Sequence, residues 1–160
     1  MGDEQQERRK YKRMKLNIPV EINIKETNRK YSGIANTITP AGMSILIDTF
    51  LPVGKRLVVD FKIKDDLNFK DVSAKILRVR DIDDKFLIGI EYLNLSPKDI
   101  EKINNFSEAI SFVKRIKLFA HITDEEAMYL RNIGKDVNFN EGQTIFKEGD
   151  EGDAFYAVVS

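Results

Sequence analysis

"AKILRVRDIDDKFLIGIEYLNLSPKDIEKINNF", residues 74 to 106, changes hydrophobic period partway along. Up to Tyr92, apolar and charged residues alternate around the turn-forming run Asp81-Ile82-Asp83-Asp84, the pattern of two strands joined by a tight connection. Beyond Ser96 the period lengthens. Ile100, Ile103, Phe106, Ile110 and Val113 recur at three or four residues and make one apolar helical face. Ser96 is placed to cap that helix, with Pro97 at its first position and Asp99 in its first turn, while Lys114 and Arg115 suit the negative end of its dipole.

Working outward toward the N-terminus, the same short-strand pattern continues back to "NIPVEINI". Strands are expected near residues 20–25, 31–38, 42–47, 56–63, 70–80 and 85–92, with turns at "KETNRK", "TPAG", "LPVG", "KDDLN" and "DIDD". Such regular spacing favours a mainly β fold: a small antiparallel six-stranded barrel, with the helix closing its open end. The organisation expected is a basic N-terminal arm (1–15), a barrel with its closing helix (16–116) and a further α+β segment (117–160).

Composition narrows the chemistry. There are no cysteines, and His121 is the sole histidine, which removes disulfides, thiolate metal sites and most triad or general-base arrangements. Catalysis, a metal or a cofactor is therefore not expected. No apolar run of about 18 residues or secretory leader is visible, so a cytoplasmic location without membrane insertion is the default. The 26 basic and 26 acidic side chains cancel, but residues 1–120 carry 23 basic and 17 acidic groups whereas 121–160 carry 3 and 9. That asymmetry suggests an anion-binding module joined to something of different character.

The basic excess concentrates at "ERRKYKR", residues 7 to 13, where five of seven residues are Arg or Lys and Arg9 and Arg13 stand four apart. Alone, such a run reads as a solvated tail. Taken in order with "TITPAG" (Thr37 to Gly42) and the closing strands with their Gly-Ile-Glu-Tyr step at Gly89 to Tyr92, it resembles the PilZ domain, whose members typically bind cyclic di-GMP. Arg9-x-x-x-Arg13 is similar to the family's RxxxR motif, and Thr37 to Gly42 stands where the family has Asp/Asn-x-Ser-x-x-Gly.

The resemblance implies a cyclic di-GMP site made by Arg8, Arg9, Arg13, Thr37, Thr39, Gly42 and Arg78. The chemistry is coherent, because a guanidinium can bond twice to guanine O6 and N7 or to phosphate oxygens, a fork that Lys lacks. Arg9 and Arg13 would clamp the ligand and Arg8 would neutralise a phosphate. Thr39 offers a hydroxyl, and Gly42 permits close approach. Arg78 and Arg80 share a strand face and either could flank the ligand, while Gly89 is expected to relieve crowding. Position 37 departs from the pattern: Thr37 replaces a longer carbonyl-type acceptor, and Asn36 falls one place too early if the strand alternates strictly.

A second start signal follows at Thr123, with Glu126 at capping-box spacing. Residues 118–160 resemble the opening of a cyclic nucleotide-binding domain of the catabolite-activator type, with Gly142, Glu148-Gly149-Asp150 and Gly152-Asp153 in its turn positions. "VNFNEGQTIFKEGDEGDAFYAVVS" reads as three strands separated by turns, and the domain is expected to be incomplete at Ser160. The glycines and aspartates here read as turn chemistry. Together these readings give a cyclic di-GMP receptor that passes occupancy to an attached domain or an unknown downstream protein. The alternative is a degenerate PilZ domain serving ligand-independent protein interaction, with a homodimer as one form. Nucleic-acid binding by the arm is disfavoured by its scant aromatic content.

Overall fold

The computed structural model describes residues 10–152 and 154–158. Six strands, β1 (Ile18–Ile24), β2 (Arg29–Thr39), β3 (Gly42–Ile47), β4 (Arg56–Lys64), β5 (Leu67–Ile82) and β6 (Lys85–Tyr92), are followed by helix α1 (Pro97–Arg115), a single 3-10 turn (Lys117–Phe119) and helix α2 (Asp124–Ile133). The strands close an antiparallel barrel in the order β1-β2-β3-β6-β5-β4. Closure leaves no unpaired sheet edge along the ladder.

Alternation explains why these residues close in this way. In β1 the odd partners Pro19 and Glu21 are exposed while Ile18, Val20, Ile22 and Ile24 are buried. Their inward side chains meet Ile45 and Ile47 of β3, Val59 and Phe61 of β4, Val72, Ala74 and Ile76 of β5, and Ile88 and Ile90 of β6 in one continuous core. Each fully buried aliphatic side chain contributes about 1.5–3 kcal/mol by leaving water. The β5–β6 connection is tight because Asp83 and Asp84 both take positive φ, 43° and 63°, which a two-residue hairpin of this hand requires.

Helix α1 begins as its sequence indicates. The Ser96 hydroxyl oxygen accepts from the Asp99 N–H at 3.1 Å, Pro97 opens the helix, and Lys114 and Arg115 occupy the last turn. Ile103, Phe106, Ile110 and Val113 are buried in the barrel's own core. Helix α2 carries the full capping box: Thr123 Oγ1 accepts from Glu126 N–H at 3.1 Å, and Glu126 Oε2 accepts from Thr123 N–H at 2.7 Å. Ala127 of α2 is fully buried, and Met128 and Leu130 pack against the same core.

The three strands expected beyond residue 135 do not form among the described residues. The segment holds turns instead. Gln143 N–H donates to Asn140 O, and Asp150 N–H to Lys147 O, with Gly142 and Gly149 at positive φ of 79° and 94°. Glycine as turn chemistry is what the sequence indicated. The alternating residues between the turns, Val137, Ile145, Phe146, Phe155 and Tyr156, stay exposed. Alternation shows which residues could line a sheet, but a ladder needs a second strand in register, and the closed barrel offers no edge.

Candidate functional site

Arg13, the Thr37–Gly42 hairpin and Gly89 come together on neighbouring strands of the barrel. The chain ahead of β1 continues as an extended arm, and Met14 exchanges two backbone hydrogen bonds of 2.9 Å with Ile38 of β2. Antiparallel pairing at that bridge sets Arg13 toward Thr39 and Lys15 toward Thr37. Met14 and Leu16 are buried, which anchors the arm, while Arg13 and Lys15 are exposed. Arg13, 24 positions before Thr37 in sequence, thus stands beside the Thr37–Gly42 hairpin. Arg8 and Arg9 lie outside the described residues.

From the hairpin a row of residues crosses four strands. Thr37 pairs with Ser44, Ser44 with Gly89, and Gly89 with Arg78. Arg78 does not project straight out. A Cβ on Gly89 would lie 2.5 Å from Arg78 Nε and 2.8 Å from its Cγ, so the arginine stem runs across the glycine. Its Nη2 reaches Ser44 Oγ at 3.4 Å, a long bond whose direction matters more than its strength. The guanidinium thereby sits over β3, two inter-strand spacings or roughly 10 Å from the arm. The crowding that Gly89 relieves is that of this side chain. Arg80 lies on the same face opposite Leu87, one row away.

Two bulges set this row. Register shifts between Ala35 and Thr37 in β2, and between Ile76 and Arg78 in β5. In β2 the buried residues Ala35 and Ile38 are consequently three apart, with Asn36 and Thr37, both half-buried, standing between them. This corrects the strict alternation that set Asn36 aside. Its Oδ1 is buried with no hydrogen-bond partner among the described residues, an orphan acceptor next to Thr37. Bulges re-aim side chains and are not legible from composition or period.

Thr39 holds the hairpin. Its Oγ1 accepts from the N–H groups of Ala41 (3.2 Å) and Gly42 (3.1 Å) and donates to Gly42 O (3.0 Å). Gly42 is needed for close approach, because a Cβ there would lie 2.0 Å from Ile90 O. Sequence reasoning missed Ser44 and the seating role of Gly89. Both follow only from knowing which strands are neighbours. No group of three or more His, Cys, Asp or Glu able to hold a metal occurs among the described residues. No helix among them is long and apolar enough to cross a membrane.

Comparison with known proteins agrees with this fold. Structures similar to this chain include the inhibitor of motility MotI/DgrA of Bacillus subtilis, with a TM-score of 0.58 at 17% identity, covering 68% of this chain and 53% of that one. YcgR of Escherichia coli, solved in complex with c-di-GMP, has a TM-score of 0.59 at 17% identity over 69% of this chain and 49% of that one. At such identities the likeness is one of fold. Among curated relatives, the cAMP-dependent protein kinase regulatory subunit of Dictyostelium discoideum is 35% identical over 48 residues, 30% of this chain. The cAMP/cGMP-dependent phosphodiesterase B of the same organism is 29% identical over 89 residues, 55% of this chain. The chain spans only 15% and 8% of those two proteins. The PilZ domain family model matches residues 7–109, which takes in the arm from residue 7 onward, the whole barrel and most of α1. The chain therefore belongs to the PilZ domain family.

Proposed function

We infer that this chain is a receptor for cyclic di-GMP, without a catalytic role, that acts in the cytoplasm and passes occupancy to the segment after α1 or to a downstream protein. The observation that carries the reading is the Met14–Ile38 bridge, which stations Arg13 beside the hairpin while Arg78 extends from the opposite side over Ser44. A dianionic ligand with two planar guanines suits a face with arginine forks at both ends and small residues between. Arg13 and Arg9 clamp, Arg8 faces a phosphate, Thr37 and Gly42 border the ligand, and Thr39 contributes by fixing the hairpin. Arg78 binds from the β5 side. Residues 118–160 belong, in this reading, to a cyclic nucleotide-binding-like segment, in keeping with the short matches to cyclic-nucleotide-dependent proteins.

Calorimetric titration of Arg13→Ala and Arg13→Lys with cyclic di-GMP tests the clamp. Ala should remove detectable binding and Lys should weaken it by about tenfold or more, since a point charge lacks the planar fork. Equal affinity for wild type and the Lys variant would refute a fork-dependent site. One observation favours the ligand-independent interaction module instead: the Thr39 hydroxyl is spent on its own turn and Thr37 has only a short one. Wild-type chain that takes up no cyclic di-GMP would favour that module.

A further inference from the structure

The arm is gripped on both edges. One edge meets β2 through Met14, and the other meets the first turn of α2. Lys15 N–H donates to Asp124 Oδ2 at 2.7 Å, Asn17 N–H to Glu125 Oε1 at 2.8 Å, and Asn17 Nδ2 to the same oxygen at 3.0 Å. Alternation makes this geometry necessary. If Met14 turns its N–H toward β2, the N–H groups of Lys15 and Asn17 face the opposite edge, which β4 leaves open because its pairing with β1 begins only at Val20. Two carboxylates take the place of the missing strand. Asp124 is itself held: its Oδ1 accepts from Lys114 Nζ of α1 at 2.6 Å, and its side chain is only 13% exposed.

These contacts join residues about 109 positions apart, and α2 lies beyond the residues 7–109 that the family model matches. One side of the joint therefore lies within the family match and the other beyond it. It lies two residues from Arg13, so the arginine cannot move far without loading it.

We propose that the α2 first turn is a latch that pre-organises the arginine arm and through which ligand occupancy reaches the downstream segment. The proposal rests on the cyclic di-GMP reading and names its route of transmission. With Lys15 and Asn17 fixed to α2, Arg13 is already at the site, and ligand binding does not have to order the arm. Coupling of this kind is reciprocal: whatever α2 does for the ligand, the ligand does for α2. A ligand held by Arg13 tightens the arm and reduces the opening of α2, and a partner that pulls α2 away loosens the ligand. The Lys12–Glu108 ion pair, 3.6 Å and exposed on both sides, adds little to this grip.

Hydrogen exchange and titration on one set of proteins test it: wild type, Asp124→Ala/Glu125→Ala, and Asn17→Ala, which leaves α2 untouched. Without ligand, the Lys15 and Asn17 amides should exchange faster in the double variant while the amides of β1 to β6 keep wild-type protection. Cyclic di-GMP should slow exchange across Asp124 to Ile133 in wild type but not in the double variant. Its affinity should fall by about tenfold in the double variant and by a smaller factor in Asn17→Ala. Asp65→Ala/Asp66→Ala, which removes two exposed carboxylates from the β4–β5 turn, controls for the same change in net charge and should bind as wild type. Unchanged arm exchange in the double variant would overturn the latch whether or not cyclic di-GMP binds. Wild-type affinity in the double variant, with α2 exchange indifferent to ligand, would overturn the coupling. Failure of wild type to bind, with the arm amides still released by the double variant, would sink the receptor reading and leave the latch a structural joint.

Discussion

Gly89→Ala is a one-carbon change whose effect on ligand binding the structure makes unusually specific. The added Cβ would stand 2.5 Å from Arg78 Nε and 3.2 Å from its Cδ, distances that real contacts do not keep. The atoms in the way belong to a flexible, exposed side chain, so Arg78 swings off its seat and the barrel backbone stays in place. Fold stability should therefore change by less than about 1 kcal/mol, because alanine is if anything a better strand residue than glycine. The ligand loses a charge-assisted contact worth roughly 1.5–3 kcal/mol, which is about a ten- to hundredfold rise in Kd. The assay is a calorimetric cycle of wild type, Gly89→Ala, Arg78→Ala and the double variant, with thermal melts alongside. The two single variants should weaken binding alike and the double should add almost nothing, since both delete the same guanidinium from the site. Wild-type affinity for Gly89→Ala, or losses that sum in the double variant, would refute the seating of Arg78 as part of the site.

Three other outcomes follow from named contacts. Thr37→Asn should tighten cyclic di-GMP binding by restoring a longer acceptor beside Ser44, while Thr39→Ala should weaken it by releasing the hairpin; no response to either, in the same titration, would remove this hairpin from the site. Tyr92 carries a buried hydroxyl with no partner among the described residues, stacked on Phe61 at 5.7 Å, and burial pushes its phenol well above the ordinary range. Tyr92→Phe removes that orphan group without changing shape, so denaturant unfolding should show stability raised by about 1 kcal/mol, and a loss would mean the hydroxyl has a partner. Hydrogen bonds from the Thr123 backbone and hydroxyl hold the Glu126 carboxyl below its ordinary value. A depressed folded-state value stabilises above the unfolded one and is lost as pH falls through it. Protection of the α2 amides should accordingly decline as pH falls below the ordinary glutamate range toward the lower folded-state value, and a Glu126→Ala variant that shows the same decline would place the titration elsewhere.

Much of the fold could be read from local pattern, because the forces that set it are local. Strand alternation around inward Ile and Val positions, aspartates tolerant of positive φ at the β5–β6 turn, and the Ser96-Pro97-Asp99 start of α1 each have a short-range cause, and each appears where the sequence indicates. The site was less legible. Asn36 was set aside because a strand was assumed to alternate without interruption, and the β2 bulge breaks that assumption at that residue. Gly89 and Ser44 acquire meaning only when β3, β6 and β5 are known to be neighbours, which is a property of topology. The grip of α2 on the arm spans more than a hundred residues and has no local signature. Beyond residue 135 the pattern misled in the other direction, since Val137, Ile145 and Phe155 alternate as strand residues do yet find no strand to pair with among the described residues.

The central claim is ligand identity, and one comparison addresses it most directly: calorimetric titration of the purified chain with cyclic di-GMP, cyclic AMP and cyclic GMP under identical conditions. If the face on both sides of the Thr37-Ser44-Gly89 row takes cyclic di-GMP as proposed, it should give saturable heat with cyclic di-GMP alone, because the mononucleotides offer one phosphate and one base where the proposed ligand offers two of each. Absence of heat with cyclic di-GMP at high micromolar concentration, or equal affinity for all three nucleotides, would contradict it.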